Sequence, residues 1–154
     1  MEMALAVVGR TQDGLFGGAI AEYEKRAARY WPLLVREVKE AGGRSVAPAV
    51  TRRLEGERLL DACLDRGEVV ACDERGRAMT SAEFAEWLGR LRDTGGAVTF
   101  VIGGAFGLDD AVRARATRVL SVAPWTLPHE MARLVLTEQL YRAGTILRGE
   151  PYHK

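Results

Sequence analysis

Short apolar runs alternate along this chain with segments in which apolar residues recur at helical spacing. The apolar runs are five or six residues long and rich in Val, Leu and Ile. Runs of this kind are typical of buried parallel strands, because such strands are covered on both faces. They predict strands at residues 3–8, 33–38, 68–72, 97–102 and 119–123.

The segments between and after these runs have helical patterns. Thr80 and Glu83 have the spacing of a capping box at the start of the third helix. Asp109 and Asp110 suit the positive end of a fourth helix, and the last helix is expected from about His129 to Leu147. The first two helical patterns cover residues 15–23 and 50–64.

The order of these elements is a strand followed by a helix, repeated five times. It predicts an α/β fold with a mainly parallel sheet between helices. The length of 154 residues predicts one domain, residues 1–154.

The charge is nearly balanced overall but uneven along the chain. A net charge of +1 argues against a generic polyanion binder. Residues 111–154 hold seven cations and three anions, a charge of +4, which leaves −3 for the rest. This excess indicates either scattered surface charge or a local basic rim beside the C-terminal loops.

Cysteine and histidine usage excludes several kinds of site. Cys63 and Cys72 form no disulfide framework, so we expect a reducing, cytoplasmic location. Two histidines and two distant cysteines lack metal-ligand spacing, so we expect no metal. We expect no membrane partner either, because no stretch approaches the roughly 20 apolar residues of a membrane span.

Two loops in the last third of the chain are candidates for ligand binding. Gly103, Gly104 and Gly107 follow a strand in a Gly-Gly-x-x-Gly pattern, which differs from dinucleotide and phosphate-loop motifs. The pattern indicates either a ligand close to the backbone or a tight turn without a ligand. Residues 122–128 contain Pro124 and Pro128, and they form either a stiff binding loop or a packed connection.

The last helix and the C-terminal tail carry histidine, arginine and apolar side chains that are candidates for a functional role. His129 opens the last helix as a cap or a site residue, and His153 is next to last. Arg142 lies four residues after Glu138, which suits either a surface ion pair or a phosphate or base contact. The apolar residues of the last helix fit either its own sheet or a dimer contact: Met131, Leu134, Val135 and Leu140.

Together these motifs resemble the ribosomal RNA large subunit methyltransferase H family, whose members are SPOUT-class enzymes. The resemblance covers essentially the full length, from residues 22–26 and 73–76 to the C-terminus. The other segments that carry the resemblance are residues 100–104, 126–129, 138–143 and 151–154, and it is their combination, not any one of them, that is specific to the family.

The resemblance implies a C-terminal deep trefoil knot, although knots are rare among folds in general. It also implies a homodimer that uses S-adenosylmethionine to methylate N3 of a pseudouridine in 23S rRNA of the assembled ribosome. Position 72, usually leucine in the family, is Cys72, and position 105, often proline or serine, is Ala105. The cofactor pocket carried over by position consists of Cys72, Gly103, Gly104, Val122, Ala123, Pro124, Trp125, Thr126 and Leu127.

Catalysis and RNA binding are expected in the last helix and the tail. The acceptor nitrogen must lose a proton, and His153 is expected to accept it or to relay it to water. Tyr152 is expected to stack on the base. Arg142 and Lys154 are expected to hold phosphate or to polarise a base carbonyl.

Three alternatives remain open from the sequence. The first is an enzyme of the same class that acts on another RNA, such as one with unmodified uridine. The second is a non-catalytic α/β module that docks on RNA or ribosomes. The third, a nucleotide-binding oxidoreductase, fits poorly because the glycine spacing differs and the turn lies late in the chain.

Overall fold

All five predicted strands form one parallel sheet with helices on both faces, in a computed structural model that describes residues 1–11 and 15–154. The strand order is β2-β1-β4-β3-β5. This confirms the predicted α/β class, whereas the knot implied by the family resemblance stays a prediction. The elements are β1 Glu2–Val8, α1 Gly17–Ala27, β2 Leu33–Val38, α2 Pro48–Asp61, β3 Glu68–Ala78, α3 Ser81–Asp93, β4 Ala97–Ile102, α4 Asp110–Arg115, β5 Arg118–Ser121 and α5 His129–Leu147.

The sheet buries one apolar cluster on each face because side chains alternate along its strands. Met3, Leu5 and Val7 of β1 join the cluster that α1, α3 and α5 cover. Ala6 and Val8 of the same strand join the cluster under α2 and α4. The helix starts agree with the sequence, since Thr80 and Glu83 form the capping box and Asp109 caps α4.

Helix α5 lies between α1 and α3 and is held by polar groups as well as by packing. The Nε1–H of Trp31 donates to the carbonyl of Leu140 over 2.8 Å. Arg133 is buried and pairs with Glu24 at 2.7 Å and with Glu37 at 2.9 Å. A Cβ at Gly144 would lie 2.3 Å from Cγ of Tyr30, so only glycine allows this close approach.

Strand β3 is longer than predicted because it continues past a bulge. Its register with β5 shifts between Cys72 and Arg77, so residues 73–76 bulge out of the ladder. Gly76 passes so close to β5 that a Cβ there would lie 2.6 Å from the carbonyl carbon of Val119. The polar composition of this second half hid its strand character, since no apolar run marks it.

The predicted fifth strand is also shifted. It ends at Ser121, so Val122 and Ala123 belong to the following loop. The Ser121 hydroxyl donates to the carbonyl of Ala123 over 2.6 Å, which turns the backbone away from the sheet.

Substitution of Gly144 tests the close approach of α5 to α1. We expect Gly144→Ala to lower the free energy of unfolding by about 1–3 kcal/mol, because the added methyl group overpacks against Tyr30. Gly18→Ala is the control, since a Cβ there meets no described atom within 4 Å. Urea titration measures both variants, and equal stability of Gly144→Ala and the wild type would contradict this packing.

Acidification tests the bulge of β3. Hydrogen bonds from Arg75, and also from Arg113, lower the pKa of Asp73 to about 2, below its value of about 3.9 in an unfolded chain. A carboxylate with a depressed pKa stabilises the fold above the unfolded pKa and loses this effect as pH falls. We expect Asp73→Asn to cost about 1–2 kcal/mol at neutral pH, with the difference vanishing between about pH 4 and pH 2.

Denaturant titrations across this pH range measure the effect. Asp61→Asn, at an exposed position, is the control for removal of one negative charge. A difference between Asp73→Asn and the wild type that stayed constant down to pH 2 would show that the carboxylate charge is not what stabilises the bulge.

Candidate active site

A cavity of about 880 Å³ lies at the carboxyl ends of β4 and β5, beside the bulge of β3 between them. Open parallel sheets bind ligands at this edge. The volume is in the range of small-molecule sites, about 300–1,000 Å³. Its lining consists of residues 72–75, 102–110, 122–123 and 125–129, with Arg52, Arg113 and Ala132.

The glycine turn after β4 forms one wall. The amide of Gly107 donates to the carbonyl of Gly104 over 3.0 Å, and Gly107 has a φ of +78°, which favours glycine. A Cβ at Gly103 would lie 2.7 Å from the backbone of Gly107. A Cβ at Gly104 would lie 2.7 Å from the Glu55 carboxylate. The turn is therefore tight, and it also lines the cavity, so a ligand in the cavity would lie close to its backbone.

The loop between β5 and α5 forms the opposite wall. The amides of residues 125–127 make no hydrogen bond within the described part of the chain. They remain available to a ligand. The hydroxyl of Thr126 donates to the carboxylate of Glu74 and so connects this loop to the bulge of β3. His129 lines the cavity, and no side chain of the described residues caps the start of α5.

The bulge of β3 supplies the third wall. Burial raises the pKa of Cys72 to about 12, so its thiol stays protonated and acts as an apolar surface. Asp73 follows directly, and its carboxylate accepts from Arg75 at 3.0 Å and from Arg113 at 2.9 Å. This ion cluster fixes the rim of the cavity at a place where the sequence showed only mixed charges.

The structure brings together nearly all of the predicted cofactor residues. The exception is Pro124, which lies in the loop but does not line the cavity. Sequence reasoning missed Asp73 and Phe106, although Asp73 follows the end of a strand and Phe106 lies inside the glycine pattern. The predicted residues that line the cavity are Cys72, Gly103, Gly104, Val122, Ala123, Trp125, Thr126 and Leu127.

The predicted catalytic residues form a separate cluster. Arg142 pairs with Glu138, and its Nη1 lies 3.3 Å from Nδ1 of His153. The hydroxyl of Tyr152 donates to Glu138 over 3.0 Å. Burial, with hydrogen bonds to Tyr23 and Glu138, raises the pKa of Tyr152, so it remains a phenol.

This tail cluster does not reach the cavity of its own chain. Among the described residues that line the cavity there is none of Arg142, Tyr152, His153 and Lys154. The last cavity residue on α5 is Ala132, and ten helical residues separate it from Arg142 by about 15 Å along the axis.

The Tyr152 ring is already in contact with protein groups. The ring of Tyr141 lies 4.6 Å from it between centroids, and the Arg142 guanidinium lies 4.7 Å from its centroid. A base that stacks on the face of Tyr152 covered by Arg142 would therefore have to displace the guanidinium.

The expected basic rim is weaker than the sequence count suggests. Arg133 is buried between two carboxylates, so it contributes no surface charge. Arg113 and Arg142 are each paired with acidic side chains. Arg115 and Lys154 are exposed.

The burial of the apolar residues of α5 bears on whether they pack on their own sheet or form a dimer contact. Leu140 is fully buried in its own core, whereas Met131, Leu134 and Val135 are only partly buried.

Residues 1–11 and 15–154 contain no group of three or more potential metal ligands. In the same residues, no helix combines the length and apolar character needed to cross a membrane.

Comparison with a solved structure agrees with this fold. A probable methylase family protein from Haemophilus influenzae Rd KW20 aligns with 99% of this chain and 70% of its own, at a TM-score of 0.53. Its sequence identity is 16%, so the likeness concerns the fold alone.

Comparisons with known sequences are more specific. Residues 1–153 match the model of a family described as predicted SPOUT methyltransferase. Proteins named ribosomal RNA large subunit methyltransferase H are 57% identical in Gemmatimonas aurantiaca and 48% identical in Anaeromyxobacter sp. (strain Fw109-5), each over all of both chains. Another of that name, from Trichlorobacter lovleyi, is 42% identical over 99% of both chains. The chain therefore belongs to the SPOUT methyltransferase family, within the group of ribosomal RNA large subunit methyltransferase H.

Proposed function

We propose that this protein transfers a methyl group from S-adenosylmethionine to N3 of a pseudouridine in 23S rRNA of the assembled ribosome. The observation that carries the proposal is that all three predicted pocket loops line one and the same cavity. The names of its relatives support ribosomal RNA as the substrate. A cytoplasmic location follows from this substrate.

The cavity has the properties that the cofactor requires. The unpaired amides of residues 125–127 suit the polar edge of an adenine ring. Cys72 and Leu127 offer apolar walls, and Gly103 and Gly104 leave the backbone open. When bound there, S-adenosylmethionine supplies a methyl group that its sulfonium charge has already activated.

The residues of the chain contribute chiefly by positioning. Methyl transfer needs an in-line approach, so stiff walls that hold the two reactants in register lower the barrier. The proline-containing loop provides one such wall because proline fixes φ, and the glycine turn provides another because a hydrogen bond and close backbone contacts hold it. Arg142, Tyr152, His153 and Lys154 are the groups that we assign to the RNA base and its phosphates.

Separation of the tail from the cavity leads us to propose a homodimer. In a two-fold dimer, the tail of one subunit can lie at the cavity of the other, whereas α5 keeps the two apart within one chain. The partly buried Met131, Leu134 and Val135 provide an apolar surface on α5 for this contact. Leu140 is excluded from it because its own core buries it.

Calorimetric titration with S-adenosylmethionine tests the pocket. We expect wild-type protein to bind one molecule per chain and Gly104→Val to bind none, because the new side chain collides with Glu55 and Val8 and distorts the turn. Gly43→Ala is the control, since it introduces a methyl group into open space.

Sedimentation in the same buffer gives the oligomeric state. If the folded wild-type dimer bound no S-adenosylmethionine, the catalytic proposal would lose its basis, and a docking module for RNA would replace it.

Mixing of two impaired variants tests the shared site. We expect His153→Ala to retain cofactor binding but to keep only a small, measurable residual turnover on ribosomes, and Gly104→Val to lose both binding and turnover. Mixed dimers contain one intact site, so unfolding and joint refolding should restore about a quarter of the wild-type rate.

The measurement is incorporation of labelled methyl groups into 23S rRNA. Joint refolding of His153→Ala with itself is the control. Unchanged turnover of His153→Ala alone would remove His153 from the mechanism, and absence of any recovery in the mixture would place the whole site within one chain.

A further inference from the structure

The carboxylate of Glu138 is the centre of the tail cluster, and the proposed function has given it no role. Its Oε1 accepts from Nε of Arg142 at 3.0 Å and from the Tyr152 hydroxyl at 3.0 Å. Its Oε2 accepts from Nε2 of Gln139 at 2.7 Å. The side chain is only 18% exposed, so these hydrogen bonds are partly shielded from water.

Through these contacts Glu138 fixes the direction of the Arg142 guanidinium. Nε and Nη2 of Arg142 both point to Glu138, and the planar group lies over the Tyr152 ring. The remaining nitrogen, Nη1, is thereby directed to Nδ1 of His153 at 3.3 Å. A guanidinium held on two sides has little freedom to turn away from the imidazole.

This contact decides which nitrogen of His153 carries the hydrogen. An arginine side chain can only donate, so Nδ1 of His153 must be the accepting nitrogen. The hydrogen of the neutral ring is then on Nε2. His153 is exposed, so its Nε2–H group is accessible to a substrate.

We propose that Glu138 is a positioning residue which, through Arg142, holds His153 as a hydrogen-bond donor to the substrate base rather than as a proton acceptor. This inference rests on the proposed function. With Nδ1 engaged by Arg142 and Nε2 already protonated, neither ring nitrogen has a free lone pair to take the imide proton.

The reaction is balanced without a basic histidine. The bond between sulfur and the methyl carbon of S-adenosylmethionine breaks and leaves its electron pair on sulfur. The base nitrogen supplies the pair for the new N–C bond, and its proton leaves to water. His153 donates from Nε2 to the adjacent carbonyl oxygen of the base, where negative charge collects as the proton departs.

A double-mutant cycle tests whether the effect of Glu138 on turnover depends on His153. We expect Glu138→Gln to lower turnover on ribosomes between about tenfold and a hundredfold, as loss of a charge-assisted hydrogen bond does. We expect the same substitution to have little further effect in a His153→Ala background, because the two residues act as a unit. Cofactor affinity by calorimetry should be unchanged in all variants.

Glu130→Gln removes the same charge from the same helix and is the matched control. Equal losses of turnover from Glu138→Gln in both backgrounds would overturn the proposal, since Glu138 would then act independently of His153. Thermal unfolding of each variant separates this result from loss of the fold.

Nitrogen NMR tests the same proposal without substrate, so its result does not depend on the proposed function. The chain has two histidines, and His129→Gln assigns their signals. We expect neutral His153 in the wild type to be entirely in the Nε2–H form, and in Arg142→Ala and Glu138→Gln to show the mixture of forms found in a short peptide. A mixture already present in the wild type, or hydrogen on Nδ1, would overturn the inference.

Discussion

The buried ion pairs of Arg133 determine how the other parts of the protein are arranged. One guanidinium, 4% exposed, joins α5 to Glu24 of α1 and to Glu37 of β2. Removal of Arg133 would leave both carboxylates without their cation, and breaking a buried pair in this way typically costs about 3–5 kcal/mol. The rotation and depth of α5 on the sheet are therefore fixed, and with them both ends of this helix.

Each end of α5 serves a different part of the site. At its start, His129 and Ala132 line the cavity. Nearer its end, Glu138 accepts a hydrogen bond from Tyr152, and Arg142 contacts His153 of the tail. The hydrogen bond from Trp31 and the close approach of Tyr30 at Gly144 hold the second half of the helix just as firmly. A rigid helix cannot bring its two ends together within one chain, which is the reason that we propose a site shared between two chains.

The cavity itself depends on close contacts between backbones. Gly76 allows β3 to pass β5 after the bulge, and Gly103 allows the turn after β4 to close on Gly107. The bulge places Asp73 at the rim, where Arg75 and Arg113 fix it. These contacts restrict the backbone around the cavity, as the proposed methyl transfer requires of a protein that acts mainly by positioning the reactants.

The sequence by itself determined the α/β class, the parallel strands and the loops that line the cavity, because periodicity and turn chemistry are local properties. It also indicated the family through motifs spread over the whole length. It did not show the second half of β3, because residues 73–76 bulge out of the ladder and Arg77 and Ala78 pair with β5 without an apolar pattern. Nor did it show that Arg133 is buried or that the Tyr152 ring is already occupied, since a charge count and a motif say nothing about neighbours. Only the tertiary structure separated the tail from the cavity, because that distance depends on the direction in which α5 crosses the sheet, and packing between distant segments decides that direction.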